Sequence, residues 1–253
     1  MKIKTQSAKV DKAWLNAHVN DPWVKLAAKE GFRARAAYKL REIDETLGLL
    51  KPGQVVVDLG STPGAWSQYL SRRLSPSTGW LPAATADDAA RRGPVEGSIG
   101  KASSQAVIIA LDLLPMLPVE GVTFIQGDFN EADVLAQVEA LLSGRAVDLV
   151  LSDMAPNLSG IAASDSARVT HLVELALAFA KAHLVPNGAL VAKLFHGAGY
   201  EALAQAFKAQ FRVVKRIKPK ASRGKSAETF LVGQGLRQPQ PSVGAAGIQP
   251  PVA

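Results

Sequence analysis

The chain has 253 residues, 47% of them hydrophobic, with no cysteine and a formal net charge of +7. That length suits one well-buried α/β domain, and the absence of cysteine excludes a disulfide framework and Cys-ligated zinc. No apolar run approaches the ~18 residues of a membrane span, the first residues lack the apolar core of a signal peptide, and the four histidines form no metal motif. A soluble, cytoplasmic protein without a metal is expected.

The charge is not spread evenly. Residues 1–41 hold ten Lys or Arg against three acids, and residues 212–225 hold seven basic residues and no acid. Two basic segments flanking an acidic body suit a polyanion, because neutralising phosphates releases counterions. Nucleic acid is the favoured partner over a merely solvated basic face. Trp14, Trp23 and Tyr38 lie in or beside the first segment, where they either stack on unpaired bases or pack a core.

Taken in chain order, helical spacing begins at Phe32, Ala36, Leu40, Ile43 and Leu47, with Lys39 at the edge of the stripe. Lys51-Pro-Gly53 ends that pattern and leads into a strand at 54–59 and a helix at 65–74. Residues 75–105 are rich in Pro, Gly, Ser and Ala without a sustained period, which reads as a mobile insertion. Strands follow near 107–111, 122–126, 147–152, 189–194, 211–217 and 227–232, with helices near 131–142, 167–184 and 199–209. The order predicts an alternating α/β sandwich, mostly parallel, closing on an antiparallel hairpin. The Pro-rich tail from Gln234 reads as disordered.

The junction Val55-Val-Val-Asp-Leu-Gly-Ser-Thr-Pro-Gly-Ala-Trp66 is strand, glycine-bearing turn, helix. Ligands of open α/β sheets lie beyond the carboxyl ends of the strands, and Gly60 and Gly64 predict close backbone approach to one. The turn does not fit G-x-G-x-x-G, and no P-loop occurs, so a dinucleotide or ATP is disfavoured. Asp112, Asp128 and Asp153 each end an apolar run. Carboxylates at successive strand ends suit ribose hydroxyls, an adenine amino group and a positive charge, all of which S-adenosylmethionine carries.

Two charges sit in otherwise apolar strands, Lys193 in Leu190–Phe195 and Glu228 in Ser226–Val232. Burial of either is costly unless it is paired. The two meet if the last hairpin lies beside the strand of Lys193; a structural ion pair or a lysine reaching to solvent is the alternative.

The chain resembles the FtsJ-type (RrmJ-like, or RlmE) ribosomal RNA 2′-O-ribose methyltransferases of bacteria from about Arg33 to Val232. The resemblance rests on Ala34–Leu40, Val57–Gln68, Leu111–Met116, Gln126–Phe129, Ser152–Gly160, Val191–Phe195 and Ser222–Glu228. It implies a Rossmann-like S-adenosylmethionine-dependent fold over 32–233, a basic segment over 1–31 and a tail over 234–253. It further implies a catalytic tetrad of Lys39, Asp153, Lys193 and Glu228, and cofactor contacts from Gly64, Trp66, Asp112, Asp128 and Asp153. The implied substrate is a uridine of 23S rRNA in the large (50S) subunit, modified by a monomer. Ala65 departs from the family, which often has a second glycine there, and residues 77–103 are an insertion. A tRNA methyltransferase and a non-catalytic ribosome assembly factor are the alternative expectations.

Overall fold

The structure is a computed structural model that describes residues 12–74, 105–156, 160, 162–223 and 226–237. Its seven strands are β1 (Val55–Leu59), β2 (Val107–Asp112), β3 (Val122–Gln126), β4 (Val147–Ser152), β5 (Leu184–Phe195), β6 (Phe211–Ile217) and β7 (Glu228–Leu236). They form one sheet in the order β3-β2-β1-β4-β5-β7-β6. The first five strands are parallel, and β7 runs antiparallel to both β5 and β6.

β1 is buried along its whole length, Asp58 included, because a central parallel strand is covered on both faces. At the edge, β6 exposes Arg212, Val213, Lys215 and Arg216, charges that protect an edge from pairing with another chain. The helices are α1 (Lys12–Asn20), α2 (Pro22–Glu30), α3 (Ala37–Leu47), α4 (Ala65–Leu74), α5 (Ala132–Leu142), α6 (Ala162–His183) and α7 (Tyr200–Gln210). On one face Val57, Leu59 and Val150 pack with Val138, Phe179 and Phe207 of α5, α6 and α7. On the other face Val56, Leu151, Val191 and Phe230 pack with Leu40, Ile43, Trp66 and Leu70 of α3 and α4.

Five boundaries differ from the sequence-based expectation, one of them the start of β5 at Leu184 rather than near 189. Among its described residues, 12–31, the basic N-terminal segment contains two helices. α2 is started by the Asp21 side chain, which accepts from the Trp23 N–H at 2.9 Å, with Pro22 at its first turn. The stripe from Phe32 becomes helical only at Ala37, and the Arg33 N–H before it donates to Gln68 Oε1 at 2.7 Å. α6 starts at Ala162 rather than near 167. β7 continues to Leu236, which pairs with Phe211, so the tail begins at least three residues later than expected. Residues 75–104 and 238–253 lie outside the described residues.

Candidate active site

The strand order reverses between β1 and β4, and there the carboxyl ends of the strands open into a cavity of about 570 Å³. Gly60, Asp112, Asp128, Asp153, Met154 and Lys193 are among its lining residues. The volume lies within the roughly 300–1,000 Å³ of small-molecule and cofactor sites.

The glycine turn borders this site and is itself closely packed. Gly60 has φ +75°, and a Cβ there would come within 2.7 Å of the Met154 backbone nitrogen. Gly64 has φ +99°, and its Cβ would strike the Arg33 guanidinium at 2.6 Å. Both glycines therefore admit a left-handed backbone and a close neighbour from the protein itself. Arg33 uses that space to donate to the carbonyls of Pro63, Leu117 and Pro118, fastening the turn to the loop after β2.

Gly64 and Trp66 are not in the cavity lining. Trp66 is buried, donates its indole N–H to the Ala36 carbonyl at 2.8 Å, and packs on Phe230 at 5.7 Å. It props the sheet under α3. Tyr38 is likewise core, packed between Trp23 and Phe32, which removes it as a stacking surface; Trp23 is half-buried against it, and the Trp14 side chain lies outside the described residues.

The three strand-ending aspartates do converge on the cavity. Asp112 is oriented by the backbone N–H groups of Thr62 and Leu114, each at 2.8 Å. Asp128 is held below the usual carboxylate range by the backbone and then the side-chain amide of Asn130. Asp153 follows β4 and meets Lys193 Nζ at 2.9 Å through Oδ1. The aligned hydrogen bond from Nζ goes instead to the Asp153 carbonyl at 2.5 Å, so Oδ1 is buried with no well-directed donor. Orphaned acceptors of this kind are expected to gain a partner from a ligand.

The expected tetrad is present as two pairs. The pair of Lys193 is Asp153; the pair of Glu228 is Lys39, at 2.7 Å. Ser222 donates to the other Glu228 oxygen, also at 2.7 Å. Burial raises the Glu228 pKa, but Lys39, Ser222 and Lys193 outweigh it and leave the carboxylate below its ordinary range. The β5–β7 register sets Lys193 opposite Phe230, two residues from Glu228, so the two pairs are diagonal neighbours on one face of the sheet. Phe230 fills the space between them, 5.8 Å beneath Lys39 Nζ. Lys39 and Glu228 line a second, smaller cavity of about 280 Å³ with Arg35, Arg223, His18 and Ser226.

Several residues of the site were not signalled by the sequence. Asp58 is fully buried beneath the turn; burial pushes its carboxyl up to about 7, opposed by the Ser67 hydroxyl at 2.7 Å and reinforced by Asp153 and Asp112. Arg168 and His171 of α6 form the far wall of the large cavity. Ser222 and Arg35 belong to segments read for basic charge and resemblance, with no role given to either residue; the Arg35 guanidinium pairs with Asp21 and donates to the Ala221 carbonyl at 2.8 Å.

The donor set fits S-adenosylmethionine: separate carboxylates for ribose hydroxyls and an amine, and the orphaned Asp153 oxygen beside a lysine. Among the described residues, no cluster of three or more metal-ligating side chains occurs, and no helix is long and apolar enough to cross a membrane.

A sequence profile of the FtsJ-like methyltransferase family matches residues 32–236. The "Ribosomal RNA large subunit methyltransferase E" of Variovorax paradoxus is 63% identical over 237 residues, spanning 94% of this chain and 98% of its own. The protein of the same name from Albidiferax ferrireducens is 65% identical over 237 residues, 94% of this chain and 99% of its own. Among solved structures, a Plasmodium falciparum protein described as a ribosomal RNA methyltransferase superposes with a TM-score of 0.63 at 26% identity, over 81% of this chain and 98% of that one.

Proposed function

The chain belongs to the FtsJ-like methyltransferase family, and on that premise we propose that it transfers a methyl group from S-adenosylmethionine to the ribose 2′-hydroxyl of a uridine in 23S rRNA of the large ribosomal subunit. It acts as a cytoplasmic monomer during late subunit maturation. The observation that carries the reading is the placement of Lys193 Nζ against Asp153 in the cavity, with the Lys39–Glu228 pair diagonal to it.

The cofactor supplies an electrophilic methyl group on a cationic sulfur. The chain's own residues do the rest. Asp112 receives the ribose hydroxyls and Asp128 the exocyclic amine, which fixes the cofactor along the sheet edge. Asp153, with its orphaned Oδ1, faces the positive charge. Lys193 gives one ammonium hydrogen to the Asp153 carbonyl at 2.5 Å and keeps Nζ 2.9 Å from Oδ1, which leaves hydrogens free to donate to the 2′-oxygen. That contact orients the oxygen in line with the methyl–sulfur bond and stabilises the negative charge that develops as its proton leaves to water. Lys39 and Glu228 hold the nucleotide side of the same face, and the basic residues of 212–223 bind phosphates.

The name shared by the two relatives supports large-subunit rRNA as substrate. The test is methyl transfer from labelled S-adenosylmethionine to unmodified large subunits, free rRNA and tRNA in parallel, with the labelled nucleoside identified. Label in 2′-O-methyluridine from subunits is the expected result. Label in tRNA overturns the target, and cofactor binding without any transfer favours an assembly factor.

A further inference from the structure

Asp128 does not stand alone in the cavity wall. The turn after β3 carries Asp128, Phe129 and Asn130, and both hydrogen bonds to the carboxylate fall on one oxygen. Oδ1 accepts from the Asn130 backbone N–H at 2.9 Å and from its side-chain Nδ2 at 2.7 Å. The other end of the Asn130 amide, Oδ1, lies 2.7 Å from His171 Nε2. Because Nδ2 donates to Asp128, the amide oxygen must accept, and His171 must donate through Nε2–H. A chain of donors thus runs from His171 of α6 to Asn130 to Asp128, joining opposite walls of the large cavity.

Phe129 fixes the base of this bridge. It is buried between its two polar neighbours and packs edge-on against Phe179 of α6, with centroids 5.5 Å apart. The same two elements are therefore joined below by rings and above by hydrogen bonds. Among the described residues no donor occupies Asp128 Oδ2, which leaves that oxygen for a ligand. Its place along the sheet says which part. β3 and β5 are separated by four strand spacings in the order β3-β2-β1-β4-β5, roughly 19 Å. Lys193 on β5 marks the transfer end, so Asp128 meets the opposite, purine end of the cofactor.

We propose that His171 and Asn130 are specificity-determining positioning residues, which fix the Asp128 carboxylate so that Oδ2 accepts from the exocyclic amine of adenine and rejects a purine with an oxygen at that position. A carboxylate locked as acceptor attracts a 6-amino group and repels a 6-oxo group, whereas an unlocked carboxylate turns away and discriminates less. The inference rests on the proposed cofactor.

The experiment measures Kd by calorimetry for S-adenosylhomocysteine and S-inosylhomocysteine, using the full chain and its His171→Ala, Asn130→Ala and Asp128→Asn variants. The wild type is expected to prefer the adenosyl compound. That preference should shrink about fivefold or more in His171→Ala and in Asn130→Ala. In the Asp128→Asn background, His171→Ala should change the preference no further. Weaker binding of both compounds with an unchanged ratio makes the bridge merely structural and overturns the proposal, as does an equal loss in the Asp128→Asn background. A wild-type chain that binds neither compound overturns the cofactor reading itself, a result distinct from either.

Discussion

The two lysine–carboxylate pairs have the same chemistry and nearly the same spacing, 2.9 Å for Lys193 with Asp153 and 2.7 Å for Lys39 with Glu228, yet they are built differently. Glu228 is satisfied on both oxygens, by Lys39 and by Ser222. Asp153 stands at the large cavity with one buried oxygen lacking a directed donor, and its lysine leans on a backbone carbonyl. A satisfied pair holds a shape; an unsatisfied one awaits a ligand. Proximity in a tetrad therefore does not mean equal roles. Under the proposed function the first pair acts on the reacting atoms, and the second holds the nucleotide side of the face while tying α3 to β7 and Ser222.

Variants can break or sharpen that contrast. Asp153→Ala should have the largest effect, lowering turnover about 10²–10³-fold and weakening cofactor binding about fivefold or more, measured by steady-state kinetics and calorimetry. Glu228→Ala should act mainly on stability. It strands Lys39, whose side chain is only 12% exposed, and should cost about 3 kcal/mol in denaturant unfolding.

Asp58 gives a pH-dependent signature. Its folded pKa is raised from 3.8 to about 7, so the folded state keeps a proton that the unfolded chain releases. Its contribution to stability is fully present below pH ~4 and is lost as pH rises toward ~7, at up to about 1.4 kcal/mol per pH unit. Asp58→Asn should remove that slope, which thermal unfolding across pH would show. The smallest effects belong to the exposed cations. Replacing Lys215, Arg216 and Lys220 by Ala should leave folding intact and flatten the salt dependence of RNA binding, by about 0.7–0.9 in log–log slope for each phosphate no longer neutralised.

Much of this was legible in the chain. Strands with a polar residue at the end of an apolar run announced themselves, and Asp112, Asp128 and Asp153 converge as their spacing implies. Lys193 was legible as a charge that needed an acid. The strand pattern alone offered Glu228 and only the resemblance brought in Asp153, because pairing depends on which strand ends are adjacent, and β4 lies beside β5 while Glu228 faces α3. The glycines were legible as a turn at the strand end, but their close neighbours Met154 and Arg33 were not, since these arrive from distant parts of the chain. Asn130 and His171 left no local signal at all: they are 41 residues apart and meet only across the cavity. α1 and α2 were hidden by the charge of their segment, which masked the Asp21-Pro22 start.

The most direct measurement is the single-turnover rate of methyl transfer by Lys193→Ala, taken beside its Kd for S-adenosylmethionine. A fall of about 10³-fold or more in rate, with Kd within about twofold of wild type, is predicted if Lys193 acts on the 2′-oxygen alone. A rate equal to wild type would remove Lys193 from the chemistry and contradict the account.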